Sequence, residues 1–125
     1  MPSIFLPISN LLRRRKRDAL LAQAASWTPA PAILLKSTVV PKDALAEGTT
    51  FQEQQVEAAF SFTLDGTYFG GYARSVAMSD SEAHRALRLI PEDTPITIRY
   101  NPANPDQAIA LPTDNPTFPF PLWPV

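Results

Sequence analysis

Cysteine is absent from this 125-residue chain, which excludes disulfides, thiolate metal sites and cysteine nucleophiles. There is a single histidine, His84, so no metal-spaced histidine pair can form. No apolar run reaches the roughly 18 residues that a transmembrane helix needs. A cleavable signal peptide also fits badly. The apolar stretch after the first basic run is only Ala19 to Ala25, is broken by Gln23 and is preceded by Asp18. Neither a Gly-x-Ser-x-Gly elbow nor a phosphate loop occurs, and the pair Gly70-Gly71 is too short to stand for one. Charge is sparse at 18%, below the usual quarter or so of a soluble chain.

Proline is the residue in excess, with 14, and it punctuates the chain from Pro29 onward before crowding the C-terminus. Proline breaks helix interiors, which argues against a long helical bundle beyond residue 28. Apolar residues at 45% still suffice for one core, and the length fits one domain.

The formal charge of −1 conceals an asymmetry. Residues 1–18 carry five cations and one acid, a net +4, whereas residues 19–125 carry six cations and eleven acids, a net −5. An acidic body therefore bears a basic N-terminal arm, which is a statement about partners rather than fold.

Residues 10–26 read as a weakly amphipathic helix capped by Asn10. The run Trp27 to Pro31 turns the chain into extended structure, and Ile33 to Val40 reads as one strand. A loop follows over residues 41–50. In residues 54–64 Val56, Ala58, Phe60, Phe62 and Leu64 alternate with wetter residues, the signature of a half-buried strand. Asp65-Gly66 then predicts a type I′ hairpin turn, with a returning strand over 67–76 in which Gly70-Gly71 suggests a bulge or a close backbone approach. Ser79 and Glu82 form a capping box for a helix over 79–90. Strands over 95–100 and 107–111 flank the rigid turn Asn101-Pro102-Ala103-Asn104-Pro105. Residues 112–125 hold five prolines with Phe118, Phe120, Leu122 and Trp123. Neither a helix nor a central strand suits that tail; it is polyproline-like, or it packs across the domain.

Three of these features resemble the bacterial domain of unknown function numbered 3592. They are the run Ile98 to Pro105, the aromatic hairpin Asp65 to Tyr68, and Trp27 before the first strand, so that the resemblance spans about residues 27–111. It implies no activity and no catalytic residues. Members often sit beside transmembrane helices, a pattern from which this chain departs, and any membrane role would then fall to the basic helix.

The expected architecture is α+β: a mainly antiparallel β-sheet of about five strands forming a small barrel or half-barrel, with one short covering helix and an N-terminal helix. Residues 1–26 would be a basic arm, 27–112 the core, and 113–125 a tail. His84 is expected on the exposed helix face, Asp80 and Glu82 to complement the helix dipole, and Glu92-Asp93 to lie in a loop. None of these makes a catalytic constellation, and no cofactor or metal is expected. The cations Arg13, Arg14, Arg15, Lys16 and Arg17 are the candidate anionic-surface site. They would attract an anionic bilayer, with Ile4, Phe5, Leu6, Ile8, Leu11 and Leu12 entering the interface. Nucleic acid is disfavoured by the lack of interleaved aromatics and by the acidic body, and the plainest alternative is a solvated helix neutralised by that body. The expectation is a non-enzymatic, cytoplasmic interaction domain at the inner membrane face. The alternative is a small-ligand or peptide-binding β-domain with the tail as lid, for which the presence or absence of a pocket beneath Tyr68, Tyr72 and Tyr100 is the informative observation.

Overall fold

The computed structural model describes residues 5–42 and 53–124, with side chains from residue 15 onward in the first helix. Most of the loop predicted over 41–50 lies outside the described residues. The chain runs helix α1 (Phe5–Ala24), strands β1 (Thr28–Leu34), β2 (Thr38–Pro41), β3 (Gln54–Leu64) and β4 (Thr67–Arg74), then helix α2 (Asp80–Leu87). It continues with β5 (Pro95–Asn101), β6 (Asn104–Ile109), a single 3-10 turn at Pro112–Asp114, and β7 (Trp123–Pro124). The sheet is antiparallel throughout, in the order β6-β5-β1-β3-β4-β7, and β2 also pairs with β3. Strand β4 lies alongside β6, which curls the sheet into a nearly closed barrel. The fold is thus the α+β, mainly antiparallel architecture that the sequence predicts.

The sheet has seven strands rather than five, for two reasons. Tail residues Trp123 and Pro124 add β7 to the edge of β4, opposite Arg74 and Ala73. The predicted strand 33–40 is interrupted at residues 35–37, and its pairing with β3 slips there by one residue, from Leu34↔Phe60 to Val39↔Val56. Side chains alternate with period two, so a one-residue bulge exchanges the faces. Before it Ala32 and Leu34 point inward; after it Val39 packs on the core.

Prolines within β1 are tolerated for a related reason. Leu34 N–H donates to Thr94 on the β5 side, and Leu35 N–H donates to Ala59 on the β3 side. Pro29 and Pro31 share the parity of Leu35, so their missing N–H groups would face β3, where the β1–β3 pairing has already ended at Ile33. No ladder bond is lost.

The core inside the barrel is Leu34, Val56, Ala58, Phe60, Phe62, Ile96 and Ile98 with Ala73, the inward set that alternation predicts for β3 and β5. Asp65 and Gly66 have φ of 49° and 82°, the two positive values a type I′ turn requires. The β3–β4 register runs unbroken through Gly70-Gly71, so there is no bulge. The glycines answer instead to a close approach: a Cβ on Gly71 would fall 2.6 Å from the Phe60 ring, and one on Gly70 would fall 2.8 Å from the Phe60 carbonyl oxygen.

Helix α2 packs on β2 and β3 and buries Ala83 and Ala86. Ser79 is its N-cap, accepting from Glu82 N–H at 3.2 Å and donating to the Glu82 carboxylate at 2.9 Å. The helix ends at Leu87 rather than residue 90, because the N–H groups of Leu89 and Ile90 turn back to Ala86 and Leu87 in a tighter turn, which drops Ile90 into the core.

Helix α1 begins at Phe5, not at a cap on Asn10. Pro7 is admissible in the first turn because the first four N–H groups of a helix lack internal partners. Its C-terminal end leaves the helix at Ala24, where Ser26 Oγ donates to Gln23 O at 2.8 Å, and Ala24 with Trp27, Ile109 and Leu111 forms a second small core flanked by Leu20 and Leu21.

Candidate functional site

The basic run falls on α1 just before its anchored end. Arg15 and Lys16 are exposed and have no ion-pair partner among the described residues. Arg17 is different: its guanidinium carbon lies 4.6 Å from the centre of the Trp123 ring, and its Nε is 3.7 Å from Asp18. This cation–π contact fixes Arg17 against β7 and takes it out of the free cationic surface. The side chains of Arg13 and Arg14 lie outside the described residues. Of the five predicted cations, the structure therefore places two in solvent and one on the C-terminal tail. Sequence reasoning had no means of seeing the Arg17–Trp123 contact, because the partners are at opposite ends of the chain.

Sequence reasoning also missed Arg99. This β5 side chain donates from Nε and Nη2 to the Asp114 carboxylate at 2.8 and 3.1 Å, and from Nη1 to the carbonyl oxygens of Ala25 and, at 3.4 Å, Trp27. Hydrogen bonding to Asp114 holds the guanidinium pKa above its ordinary value, against a smaller opposing effect of burial. One planar fork thus ties the end of α1, the sheet and the start of the tail together. Asn115 adds a second tie, accepting from Thr97 N–H and donating to the Thr97 and Leu111 carbonyls. The tail is consequently packed, with Leu122 buried and Phe118 and Phe120 against the core.

Two of the concavities among the described residues bear on function. One, of about 190 Å³, lies beneath the tail and is walled by Ile96, Leu111, Phe118, Phe120 and Leu122. The other, of about 380 Å³, opens between the β3–β4 and β5–β6 hairpin tips. The three tyrosines do not share a pocket among the described residues: Tyr100 lines the second cleft, but Tyr68 and Tyr72 project outward, 79% and 60% exposed, because they share the outer face of β4 with Gly70. His84 is exposed and its Nδ1 lies 2.9 Å from the Asp80 carbonyl. Asp80 and Glu82 occupy the first turn of α2. Among the described residues no three metal-ligating side chains converge, and no helix is long and apolar enough to cross a membrane.

A central pair of hairpins, a short capped helix between them and a rigid Asn-Pro turn make this a small β-rich domain. The model of the domain of unknown function 3592 matches residues 36–115, and the chain belongs to that family. The match begins after β1, so Trp27 lies outside it, and it extends past the last strand expected from sequence to take in Asp114 and Asn115. No curated protein and no solved structure matches the chain.

Proposed function

We propose that this chain is a non-enzymatic accessory or interaction domain that docks on an anionic bilayer, at the cytoplasmic face of the inner membrane, through its basic helix. The observation that carries the reading is the pairing of exposed Arg15 and Lys16, without an ion-pair partner among the described residues, with a helix end anchored through Leu20, Leu21 and Ala24. A solvated helix neutralised by the acidic body would bring carboxylates to these two cations, and the described residues bring none. Each basic residue near an anionic surface contributes about 1 kcal/mol, so two give weak, reversible attachment, to which the apolar residues ahead of them add. Co-sedimentation with anionic vesicles tests it. Binding to anionic but not zwitterionic vesicles supports the reading; equal binding to both, or to neither, rejects it.

A second reading rests on the cleft beneath the tail. Its walls are aliphatic and aromatic, and Asn115, its polar neighbour, is already bonded to Thr97 and Leu111. Such a lining suits a small uncharged apolar ligand, with the Phe118–Phe120 segment as cover. Phe118→Ala should then alter the uptake of an apolar fluorescent dye without unfolding the chain. Unchanged uptake would remove the lid from consideration.

A further inference from the structure

The two most distinctive turns of the sequence, Asp65-Gly66 and Asn101 to Pro105, are far apart in the chain but share one cleft. Closure of the barrel by β4 against β6 brings the two hairpin tips to the same mouth. We propose that this cleft binds a small organic cation, an ammonium centre clothed in methyl or methylene groups. The site uses none of the residues of the basic helix, and it stands whether or not that helix docks.

Three observations converge on this chemistry. The cleft is lined by Leu64, Phe69, Tyr100, Pro102 and Pro105 together with Asp65 and Thr67. Among the described residues that line the cleft Asp65 is the only acid and none is lysine or arginine, and the Asp65 side chain makes no ion pair or hydrogen bond among the described residues. The site is therefore complementary to positive charge. The aromatic walls are fixed: Phe69 and Tyr100 both stack on Phe62, at centroid distances of 5.7 and 5.8 Å, and Phe62 is buried in the core. Aromatic surface beside a carboxylate attracts cations through the ring quadrupole. The aliphatic walls favour an alkylated ammonium over a hydrated metal ion, which could not use them. The volume of about 380 Å³ sits at the small end of ligand pockets, in keeping with a single small molecule.

The turn itself does not need the charge, since Asn-Gly serves a type I′ turn as well as Asp-Gly. Asp65→Asn therefore removes the carboxylate and keeps the fold. The test is an NMR titration of the full chain with choline and with its uncharged carbon isostere, dimethylbutanol, on the native protein, Asp65→Asn and Tyr100→Leu. The proposal predicts saturable shifts at the Gly66 and Ala103 amides with choline. It further predicts binding at least about tenfold weaker for the isostere and for each variant, with urea midpoints confirming that Asp65→Asn remains folded. Shifts that do not saturate, equal affinity for the isostere, or undiminished binding by Asp65→Asn would overturn it.

Discussion

Gly71 sits under the Phe60 ring, and the consequence of filling that position can be worked out atom by atom. An alanine Cβ there would lie 2.6 Å from Phe60 Cζ and 3.2 Å from both Cε atoms. Comfortable carbon–carbon contact is about 3.5–4.0 Å, so the ring must retreat by roughly 1 Å. Phe60 is 1% exposed and belongs to the main core, so the retreat displaces close-packed neighbours, at about 1–3 kcal/mol. The stiffer unfolded chain of the alanine variant returns about 0.5 kcal/mol, leaving a net loss of about 0.5–2.5 kcal/mol. Phe60→Leu alone costs about 1–2 kcal/mol in lost burial. In combination the clash disappears, and the double variant should be more stable than the sum of the singles by about 1 kcal/mol or more. Gly70→Ala is the internal control. Its Cβ meets the Phe60 backbone oxygen at 2.8 Å, which trimming the ring cannot relieve, so Phe60→Leu should not rescue it. Urea unfolding followed by the fluorescence of Trp27 and Trp123 measures all five variants. Additive losses for the Gly71 pair, or a Gly71→Ala protein as stable as the parent, would refute the packing argument.

Other perturbations test the ties. Ser75 is 1% exposed and its Oγ accepts from Val56 N–H at 2.9 Å while donating to Val76 O; Ser75→Ala strands a buried N–H and should cost about 1–3 kcal/mol in urea unfolding. Arg99→Lys keeps the charge but not the two-pronged bond to Asp114, so the melting temperature should fall and Trp27 emission should shift, with Arg99→Met no worse by more than a small margin. The raised pKa of Arg99 gives a sign for pH: its contribution is fully present below the ordinary arginine range and is lost only as pH rises through the higher folded value. The stability gap between the native protein and Arg99→Met should therefore stay constant as pH climbs from neutrality through moderately alkaline buffer. A gap that closes within that window would contradict the assignment.

Local rules made most of the sheet readable. Alternation in residues 54–64 identified the inward face of β3, Asp65-Gly66 identified its hairpin, and the Ser79–Glu82 pair identified the start of α2. Asn101 behaves as the turn chemistry requires, its Oδ1 accepting from Ala103 N–H at 3.0 Å and its Nδ2 donating to Gln107. The bulge at residues 35–37 was not readable: Lys36 and Ser37 interrupt the apolar run there, but the one-residue slip shows only in the pairing with β3, and pairing is non-local. The tail, too, could be narrowed only to two options, because what holds it is non-local: Arg99 reaching Asp114, Asn115 bracketing Thr97, and Trp123 meeting Arg17. The same long range hid the candidate sites. Asp65 and Tyr100 each stood out alone, but only the approach of β4 to β6 makes them neighbours, and the basic run looked like five equivalent cations until the tail claimed Arg17.

The docking reading turns on two side chains. Charge reversal of Arg15→Glu with Lys16→Glu leaves the anchored turn and the barrel untouched, so folding serves as its own control. Vesicle co-sedimentation of this double variant beside the native chain, across rising salt, is the most direct measurement. The account predicts that anionic-vesicle binding is salt-sensitive in the native chain and is lost in the variant. Retention of the native binding curve by the charge-reversed protein would contradict it.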